Sequence, residues 1–207
     1  VIADVGCLGT LSDGQFADGC GEVVKHAVIA DPELFAELEK TPLTLELLNR
    51  DVARVALIIA RNIDIKRAVV VADERETNQR KLLNFGHSAG HAVEACEHFE
   101  LGHGNCVSIG MGIITRAAAL HGICDAELPG RIEELCARHG LKTRCELSAD
   151  TVFAEALHDK KRAGDTIDLV IPHGIGRCSI DRTPLSTFHD LIAEGLGQKG
   201  DALSLIH

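Results

Sequence analysis

The chain of 207 residues lacks the excess of positive charge and the long apolar runs that mark two large classes of protein. Its 21 Lys and Arg residues are outnumbered by 31 Asp and Glu residues, and the net charge of −10 at pH 7 would repel nucleic-acid phosphates. No apolar stretch reaches the ~18 residues that a membrane helix needs, and no charged segment followed by an apolar one marks a signal peptide. We therefore expect a soluble cytoplasmic protein that binds neither nucleic acid nor a membrane.

Paired-cysteine motifs are also missing, although the chain contains eight cysteines. They are scattered through apolar helical patterns without any CxxC spacing, which favours reduced thiols in the core over a disulfide framework. Internal repeats and low-complexity segments are absent as well. With 45% hydrophobic residues the chain can bury one substantial core, so its length allows one domain or two small ones.

Helical periodicity dominates the patterns that are present. Residues 1–5, VIADV, resemble a strand already in progress, which indicates a piece of a longer protein, and a turn follows at residues 7–11. Two β-branched runs, IDLVIP and IGRCSI, predict a hairpin joined by His173–Gly174, while Ser148 and Pro32 suit helix starts. The apolar pattern predicts helices over residues 15–30, 32–40, 43–70, 78–97, 104–122, 128–139, 148–162 and 184–197. The predicted fold class is mainly α with one small β-hairpin.

A Gly-punctuated segment, residues 84–111, contains His87, His91 and His103. His87 and His91 are four residues apart and share one face of a helix, and His103 lies in a Gly-flanked turn that can bring it toward them. Such a cluster is typical of a metal site or a catalytic site, although an i, i+4 histidine pair is also common among core and solvated imidazoles. Ser88 stands where a zincin metalloprotease has its catalytic glutamate, so HSAGH is not the HExxH motif.

Charged residues upstream and downstream of the histidines form a further pattern. Glu22 and Lys25 are three residues apart in the apolar stretch EVVKHAVIA and can share a helix face. Cations recur at Lys66, at Arg80 and in the run at residues 160–162. Taken singly, each cation is most simply a solvated surface charge. Several of them directed at one cleft would form a site for phosphate or carboxylate.

These motifs together resemble the 3-dehydroquinate synthase family. The segments GEVVKH, IKRAVVVADERE, LLNFGHSAGHAVEA, LGHGNCVSIGM and HDKK followed by the hairpin occur in the family's order and at about its spacing, over nearly the whole chain. The resemblance implies that residues 1–207 form a single, mostly helical metal- and substrate-binding domain, the C-terminal part of a two-domain fold. The family's N-terminal α/β domain, which carries the Gly-rich NAD site, is not among these residues.

The resemblance also implies roles for individual residues. One divalent cation, Zn(2+) or Co(2+), would be held by Glu22, His87 and His103, and His91 would be a substrate contact or proton-transfer group. The residues that resemble an NAD-contacting loop are Cys7, Leu8, Gly9 and Thr10. The substrate pocket would be lined by Lys25, Lys66, Arg80, Asn84 and Lys160, with Lys161 as the alternative to Lys160.

The implied activity is the NAD- and zinc-dependent conversion of 3-deoxy-D-arabino-heptulosonate 7-phosphate to 3-dehydroquinate and phosphate, a lyase reaction of the shikimate pathway and aromatic amino acid biosynthesis. This substrate carries a carboxylate and a phosphate, which lysine and arginine side chains complement. The resemblance implies a homodimer for the full-length protein. Without the NAD-binding domain, these residues alone are expected to be inactive.

Two positions depart from the family's pattern, and two other interpretations stay open. Asn105 stands where many relatives have glutamate, and Gly9 stands where lysine is common. A sibling cyclase of the deoxy-inosose or valiolone synthase type would keep zinc and NAD, but Lys66, Arg80 and Asn84 favour dehydroquinate synthase. A non-catalytic helical domain that binds metal or a partner is the other alternative, and the metal-site motif of polyol dehydrogenases is absent.

Overall fold

The computed structural model describes residues 3–74, 79–98, 100–159 and 164–198, which are mainly α-helical with one β-hairpin, as predicted. The strands are β1 Thr166–Gly174 and β2 Arg177–Pro184, and 3-10 helices span Val5–Thr10 and Gln79–Asn84. The α-helices of the described residues are α1 Asp13–Ala30, α2 Pro32–Lys40, α3 Leu45–Arg50, α4 Val52–Ala72, α5 His87–Cys96, α6 His103–Leu120, α7 Leu128–Arg138, α8 Ala149–Asp159 and α9 Leu185–Gly195.

The start of the chain differs from the predicted strand. Val1 and Ile2 lie outside the described residues, and Val5 begins a 3-10 helix. Asp4 caps this helix, because its Oδ1 accepts a hydrogen bond from the Gly6 N–H at 2.9 Å. The strand prediction is therefore wrong for residues 3–5, where a local cap overrides the β-branched residues.

Helices α1 and α2 begin and end close to the predicted positions because polar side chains cap them. Ser12 and Gln15 form a capping box at the start of α1. Asp31 ends α1 and caps α2, since its Oδ1 accepts a hydrogen bond from the Leu34 N–H at 2.9 Å. Pro32 occupies the first turn of α2, where a backbone N–H has no helical partner.

The single helix predicted over residues 43–70 is divided into α3 and α4 at Asp51. This residue has φ −147° and ψ 73°, so a helix cannot continue through it. Its Oδ1 accepts a hydrogen bond from the Arg54 N–H at 3.0 Å and caps α4, as Thr44 caps α3. The prediction of one helix is wrong because the Asp51 side chain competes for a backbone N–H within an otherwise helical pattern.

The helix predicted over residues 78–97 begins only at His87. Gln79–Asn84 form a 3-10 helix, and Gly86 then adopts the left-handed conformation, with φ 77°. Glycine enters this region without the steric penalty of a Cβ atom. The backbone conformation therefore changes between Asn84 and His87.

Strands β1 and β2 pair in an antiparallel hairpin whose turn lies later than predicted. Pairing continues to Gly174 opposite Arg177, so Ile175 and Gly176 form the turn instead of His173 and Gly174. The Gly176 N–H donates to the Val28 carbonyl oxygen at 2.7 Å. The tip of the hairpin thus contacts α1.

The predicted cap of α8 is confirmed, because Ser148 Oγ accepts a hydrogen bond from the Thr151 N–H at 3.1 Å. The last described residue of this helix is Asp159. The remainder of the predicted helix, residues 160–162, lies outside the described residues.

Helix α6 lies at the centre of the fold and packs against α1, α5, α7, α9 and β1. Its side chains Val107, Ile109 and Met111 are fully buried in one hydrophobic cluster that extends to most of the other elements. Across the ranges that the structure describes, no helix has both the length and the apolar character needed to cross a membrane.

The eight cysteines are free thiols. The predicted core location holds for four of them: Cys20, Cys106, Cys124 and Cys136. Cys145 and Cys178 are partly buried and pack against the core, whereas Cys7 is exposed and Cys96 is partly exposed, so the prediction is wrong for Cys7 and Cys96. Burial raises the pKa of the Cys20 and Cys136 thiols to about 12, so both stay protonated near neutral pH.

Candidate metal centre

Glycines allow α1 to lie directly against α6 beside Glu22. A Cβ atom on Gly21 would lie 2.6 Å from the Gly104 carbonyl oxygen, and a Cβ atom on Gly104 would overlap the Asp18 carbonyl oxygen. The two backbones are therefore in direct contact, which no larger residue permits. Glu22 follows the first glycine and His103 precedes the second, so this crossing brings their side chains together.

Glycines also place α5 directly against α6. A Cβ atom on Gly90 would lie 2.8 Å from the Cys106 carbonyl oxygen, and a Cβ atom on Gly110 would overlap the Gly86 carbonyl oxygen. Gly86 and Gly90 immediately precede the two histidines of α5. The close approach of α5 and α6 therefore holds those histidines near the first residue of α6.

The three histidines and Glu22 converge at this crossing. Glu22 Oε1 lies 3.5 Å from His87 Nε2 and 3.9 Å from His103 Nε2. One ring nitrogen from each of His87, His91 and His103 lies within 4.8 Å of the others. The predicted convergence of the histidines is confirmed, and two overlapping sets of three donors are available.

Three members of this cluster are each held from the far side by another group. Glu22 Oε2 accepts a hydrogen bond from Lys25 Nζ at 2.5 Å. His87 Nδ1 lies 3.1 Å from the carbonyl oxygen two residues earlier, and His103 Nδ1 lies 3.2 Å from Glu94 Oε2. An acceptor at Nδ1 makes that nitrogen the donor and leaves the Nε2 lone pair free. The free atoms of the three side chains are thus the ones that face one another.

His91 differs from these three residues. Its side chain is exposed, and its imidazole makes no hydrogen bond or ion pair with any residue in the described ranges. A histidine that binds a metal almost always donates its second N–H to a neighbouring acceptor. The geometry therefore favours a role for His91 other than metal binding.

Burial and neighbouring charges set the protonation of the cluster. Burial raises the pKa of Glu22, but the hydrogen-bonded ammonium of Lys25 outweighs it, so the pKa falls below its ordinary value. Burial lowers the pKa of Lys25, which is 2% exposed, against the opposing effect of Glu22. Burial, with repulsion by Lys25, lowers the pKa of His87 to about 4. Near pH 7, Glu22 is therefore ionised and His87 neutral, the forms in which both can bind a cation.

Two cavities share Asn84 and His87 as lining residues and differ in charge. The smaller has a volume of about 390 Å³ and is lined by Glu22, Lys25, His26, Lys66, Leu83, Asn84, His87 and His103. The larger has a volume of about 710 Å³, and its charged or titratable lining residues are His87, His91, Glu94, Glu155, His158 and Asp168. Two cations thus lie beside the metal-binding candidates, and three carboxylates lie in the larger cavity.

The predicted substrate-pocket residues fall into three groups. Lys25, Lys66 and Asn84 line the smaller cavity. Arg80 lines neither cavity, and its guanidinium donates a hydrogen bond to the Glu74 carbonyl oxygen at 3.0 Å. Lys160 and Lys161 lie outside the described residues.

The residues predicted to contact NAD belong to the first 3-10 helix, which packs against α3 and α4. Cys7, Gly9 and Thr10 are exposed, and Leu8 is partly buried. Thr10 Oγ1 donates a hydrogen bond to the Cys7 carbonyl oxygen at 2.8 Å. None of the four lines the two cavities beside the histidines, so their contact with NAD stays a prediction.

Two residues of the site were missed by the sequence patterns. Glu94 follows His87 by seven positions and His91 by three, so the spacing that groups the histidines also places Glu94 on their helix face. His26 lines the smaller cavity, and its Nδ1 lies 3.0 Å from Asn62 Oδ1. Burial lowers the pKa of His26. No sequence signal pairs residues 26 and 62, because this contact joins two helices.

Asn105 links three segments next to His103. Its backbone N–H and its Nδ2 donate to Asp18 Oδ1 at 3.0 and 3.2 Å, and its Oδ1 accepts a hydrogen bond from the Lys142 N–H at 2.9 Å. Asp18 on α1 thereby satisfies a free N–H at the start of α6. A glutamate at position 105 would set a second carboxylate against Asp18, so the asparagine is complementary to its neighbour here.

The donor set fits a divalent cation. Glu22 Oε1 is buried and accepts no hydrogen bond from any residue that the structure describes. A buried carboxylate oxygen without a partner is costly, and a bound cation would compensate it. One carboxylate oxygen and two imidazole nitrogens are also the protein ligands of one class of catalytic zinc site, which leaves positions open for substrate.

Comparison with known proteins adds independent information on this chain. Residues 19–162 match the family model described as 3-dehydroquinate synthase C-terminal. The chain is 37% identical over 187 residues to the 3-dehydroquinate synthase of Streptococcus suis (strain 05ZYH33), covering 89% of the chain and 52% of that protein. It is 38% identical over 186 residues to the 3-dehydroquinate synthase of Acetivibrio thermocellus, covering 87% and 51%. The chain thus spans about half the length of the curated relatives that it matches.

Solved structures share the fold at lower identity. A 2-epi-5-epi-valiolone synthase from Streptomyces hygroscopicus subsp. jinggangensis 5008, with NAD+ and Zn2+ bound, superposes with a TM-score of 0.81 and 24% identity. The superposition covers 93% of this chain and 53% of that protein. A 2-deoxy-scyllo-inosose synthase complexed with carbaglucose-6-phosphate, NAD+ and Co2+ gives a TM-score of 0.74 and 20% identity, covering 94% and 55%. These two likenesses establish the fold class of the chain.

Proposed function

The chain belongs to the 3-dehydroquinate synthase family, and on this basis we propose that it forms the metal- and substrate-binding half of such an enzyme. The proposed reaction converts 3-deoxy-D-arabino-heptulosonate 7-phosphate to 3-dehydroquinate and phosphate, with NAD and Zn(2+) or Co(2+) as cofactors. The chain spans about half of its curated relatives, so the proposal assigns NAD binding mainly to the other half. Residues 1–207 are proposed to act as one domain of the complete enzyme.

One observation carries this proposal. Glu22 Oε1, His87 Nε2 and His103 Nε2 face one another across 3.5 and 3.9 Å, while the opposite atom of each side chain already has a partner. Three donors oriented in this way favour a single divalent cation over two solvated histidines. We therefore assign the metal to Glu22, His87 and His103.

The bound cation would supply Lewis-acid polarisation of a substrate hydroxyl, which lowers the pKa of that hydroxyl. Lys25 keeps Glu22 ionised and correctly turned through their hydrogen bond. Lys66 and Asn84 line the same small cavity and offer a positive charge and an amide to the carboxylate or phosphate of a sugar acid. The cations and the metal ligands thus serve one cavity.

His91 is proposed to contact substrate or to move a proton. It lines the larger cavity, close to His87 and His103, and no described residue engages its ring nitrogens. An imidazole with both nitrogens available can accept a proton at one nitrogen and donate a proton from the other. Loss of phosphate by elimination breaks a C–H bond on the neighbouring carbon as well as the C–O bond to phosphate, and His91 would accept that proton.

The remaining assignments are carried over from the family resemblance alone. Arg80 and Lys160, or Lys161 in place of Lys160, are proposed to complete the anion site when substrate is bound. Residues 7–10 are proposed to contact NAD. A homodimer, a place in the shikimate pathway and a cytoplasmic location belong to the same proposal.

A sibling cyclase is a weaker candidate for this chain. The valiolone and deoxy-inosose synthases share the fold at 24% and 20% identity, which carries no substrate assignment. The relatives named 3-dehydroquinate synthase share 37% and 38% identity over most of the chain. The sequence likeness therefore favours 3-dehydroquinate synthase.

The proposal can be tested by fusing the chain to the N-terminal half of the Streptococcus suis relative. With NAD and Zn2+, the fusion should release phosphate from 3-deoxy-D-arabino-heptulosonate 7-phosphate and form 3-dehydroquinate, and the N-terminal half alone should not. Turnover of a different sugar phosphate would support a sibling cyclase. A fusion that binds NAD and Zn2+ but releases no phosphate would contradict the enzyme assignment and support a non-catalytic metal-binding domain.

A further inference from the structure

His87 and His103, whose imidazoles face Glu22, differ in the group that accepts a hydrogen bond from Nδ1. The acceptor for His87 is a neutral backbone carbonyl at 3.1 Å, and the acceptor for His103 is the carboxylate of Glu94 at 3.2 Å. Glu94 lies on α5 and His103 begins α6, so the hydrogen bond also joins the two helices that form the site. The proposed metal ligands are therefore not equivalent.

Glu94 has no other polar partner in the described part of the chain. Its one hydrogen bond or ion pair there is the contact with His103, and its side chain is 18% exposed. A carboxylate that is mostly removed from water requires a donor, and here the donor is the imidazole Nδ1–H. The charge of Glu94 is thus directed at a single ring.

The His103 side chain is more exposed than that of His87, so its orientation depends more on this hydrogen bond than on packing. The side chain of His103 is 42% exposed, whereas that of His87 is 15% exposed. The surrounding residues therefore restrain the His87 ring, but they leave the His103 ring with room to rotate. A hydrogen bond from Nδ1 to a fixed carboxylate restricts that rotation and fixes which nitrogen carries the proton.

We propose that Glu94 is a positioning residue that orients His103 and strengthens its Nε2 as a donor to a divalent cation. This inference rests on the proposed function, because it takes His103 as a metal ligand. A carboxylate at Nδ1 stabilises the Nδ1–H tautomer and raises the basicity of Nε2, an effect that a backbone carbonyl produces more weakly. Glu94 therefore supports the His103 ring more strongly than a neutral carbonyl supports the His87 ring.

The test compares Glu94→Gln with Glu97→Gln in the 207-residue chain. Both variants lie at the end of α5 and remove one negative charge, but Glu97 makes no side-chain hydrogen bond or ion pair within the described ranges. Zn2+ affinity is measured by competition with a chelator. Glu94→Gln should bind Zn2+ about 10- to 100-fold more weakly, the usual effect of removing such a partner, and Glu97→Gln should bind like the parent.

A second measurement separates positioning from general stability. The melting temperature of the metal-free Glu94→Gln chain should match that of the parent, and the visible absorption of the Co2+-loaded chain should shift because one ligand is no longer held in the same orientation. The nitrogen NMR chemical shifts of the His103 ring should report a change in its tautomer, while those of the His87 ring stay constant. If the metal-free Glu94→Gln chain melts at a lower temperature than the parent and its Co2+ spectrum is unchanged, Glu94 has a merely structural role and the proposal is overturned.

The outcomes distinguish this inference from the proposed function. A parent chain that binds no Zn2+ would overturn both. A parent that binds Zn2+ with unchanged affinity in Glu94→Gln would overturn the role of Glu94 alone. A loss of affinity that persists when Glu94→Gln is added to His103→Ala would also contradict it, because Glu94 is inferred to act through that ring.

Discussion

The site where α1, α5 and α6 cross is tightly packed, whereas the neighbouring helix α4 is packed more loosely. The two regions therefore position their functional side chains differently. At the crossing, glycines bring the backbones into direct contact, so the residues next to those glycines have fixed positions. Helix α4 has 21 residues, but Val55 and Ile58 are its buried ones, and Leu57 and Val71 are 68% and 73% exposed. The proposed metal ligands lie at the crossing, and Lys66 projects from α4.

This difference corresponds to what each group must do. A metal site requires its donor atoms to lie within a few tenths of an ångström of the bound geometry, and backbone contacts provide this precision. A lysine that pairs with a phosphate requires only charge and reach, which a flexible side chain on a less tightly packed helix provides. We therefore expect damage at the crossing to affect both stability and metal binding, and damage at α4 to affect stability without changing metal binding.

Gly21→Ala should have a larger effect than a substitution on the exposed face of α4. The new Cβ would lie 2.6 Å from the Gly104 carbonyl oxygen, so α1 and α6 must separate. Such overpacking should cost about 1–3 kcal/mol of unfolding free energy, measured by urea denaturation, and should weaken Zn2+ binding because Glu22 moves with its neighbour.

The control for Gly21→Ala is Gly19→Ala on the same helix. No atom lies within 4 Å of the position that a Cβ on Gly19 would take. Alanine should therefore stabilise α1 by about 0.5–1 kcal/mol without affecting Zn2+ affinity. Equal effects of the two substitutions would contradict the direct backbone contact between α1 and α6.

Acid should weaken the link between the α3 side of the fold and α7. The Leu43 N–H donates to His139 Nε2 at 3.0 Å, and His139 Nδ1 donates to the Leu135 carbonyl oxygen at 2.7 Å, so the ring must be neutral. Burial lowers the pKa of His139 in the folded chain. Protons then bind the unfolded chain more tightly, and the contribution of His139 to stability should fall by up to about 1.4 kcal/mol per pH unit below ~6.5 until its folded pKa is reached.

The matched variant for this pH effect is His139→Gln, in which the other buried histidines are unchanged. Its unfolding free energy should be lower than that of the parent at pH 7.5, because two hydrogen bonds are altered. Between pH 7.5 and pH 5.5 it should decline less steeply than that of the parent. Parallel pH profiles for the two chains would show that His139 is not held neutral.

Asp51→Ala should lower the stability of the fold at the start of α4 without changing Zn2+ affinity. The substitution removes the hydrogen bond from the Arg54 N–H to Asp51 Oδ1, a helix cap with a typical contribution of about 1 kcal/mol. Urea denaturation should show this loss, and chelator competition should show parental Zn2+ affinity. A parallel loss of Zn2+ affinity would mean that α4 and the crossing are coupled.

Polar substitutions on the exposed face of α4 should have the smallest effect. Leu57→Gln and Val71→Gln should each change the unfolding free energy of the chain by less than about 0.5 kcal/mol, because both side chains are mostly exposed. Thermal denaturation of the two variants checks this. A loss of several kcal/mol would contradict the description of α4 as the less tightly packed side.

Much of this site follows from residue spacing. Glu22 and Lys25 were predicted to share a helix face, and they form a hydrogen bond at 2.5 Å. The histidines at i and i+4 were predicted to meet His103, and they do. The spacing predictions succeed because helical periodicity acts over a few residues. His103 joins the other two histidines as the first residue of α6, where the sequence predicted a turn, because α6 packs closely against α5.

The errors concern features that compete with periodicity or act over long distances. Asp51 interrupts a continuous apolar pattern through a single cap, and Gly86 does so through a left-handed backbone conformation. The hydrogen bond between Glu94 and His103 depends on how closely α5 approaches α6. Sequence spacing within one helix carries no information on that distance.

The most direct test of the metal assignment is the zinc content of the purified chain, measured by elemental analysis for the parent, His87→Ala and His91→Ala. The two histidines lie on one helix face, but the Nδ1 atom of His87 has an acceptor and that of His91 has no partner in the described residues. We predict about one zinc ion per chain in the parent and in His91→Ala, and little zinc in His87→Ala. Loss of zinc in both variants would contradict this assignment and place the metal on the i, i+4 histidine pair.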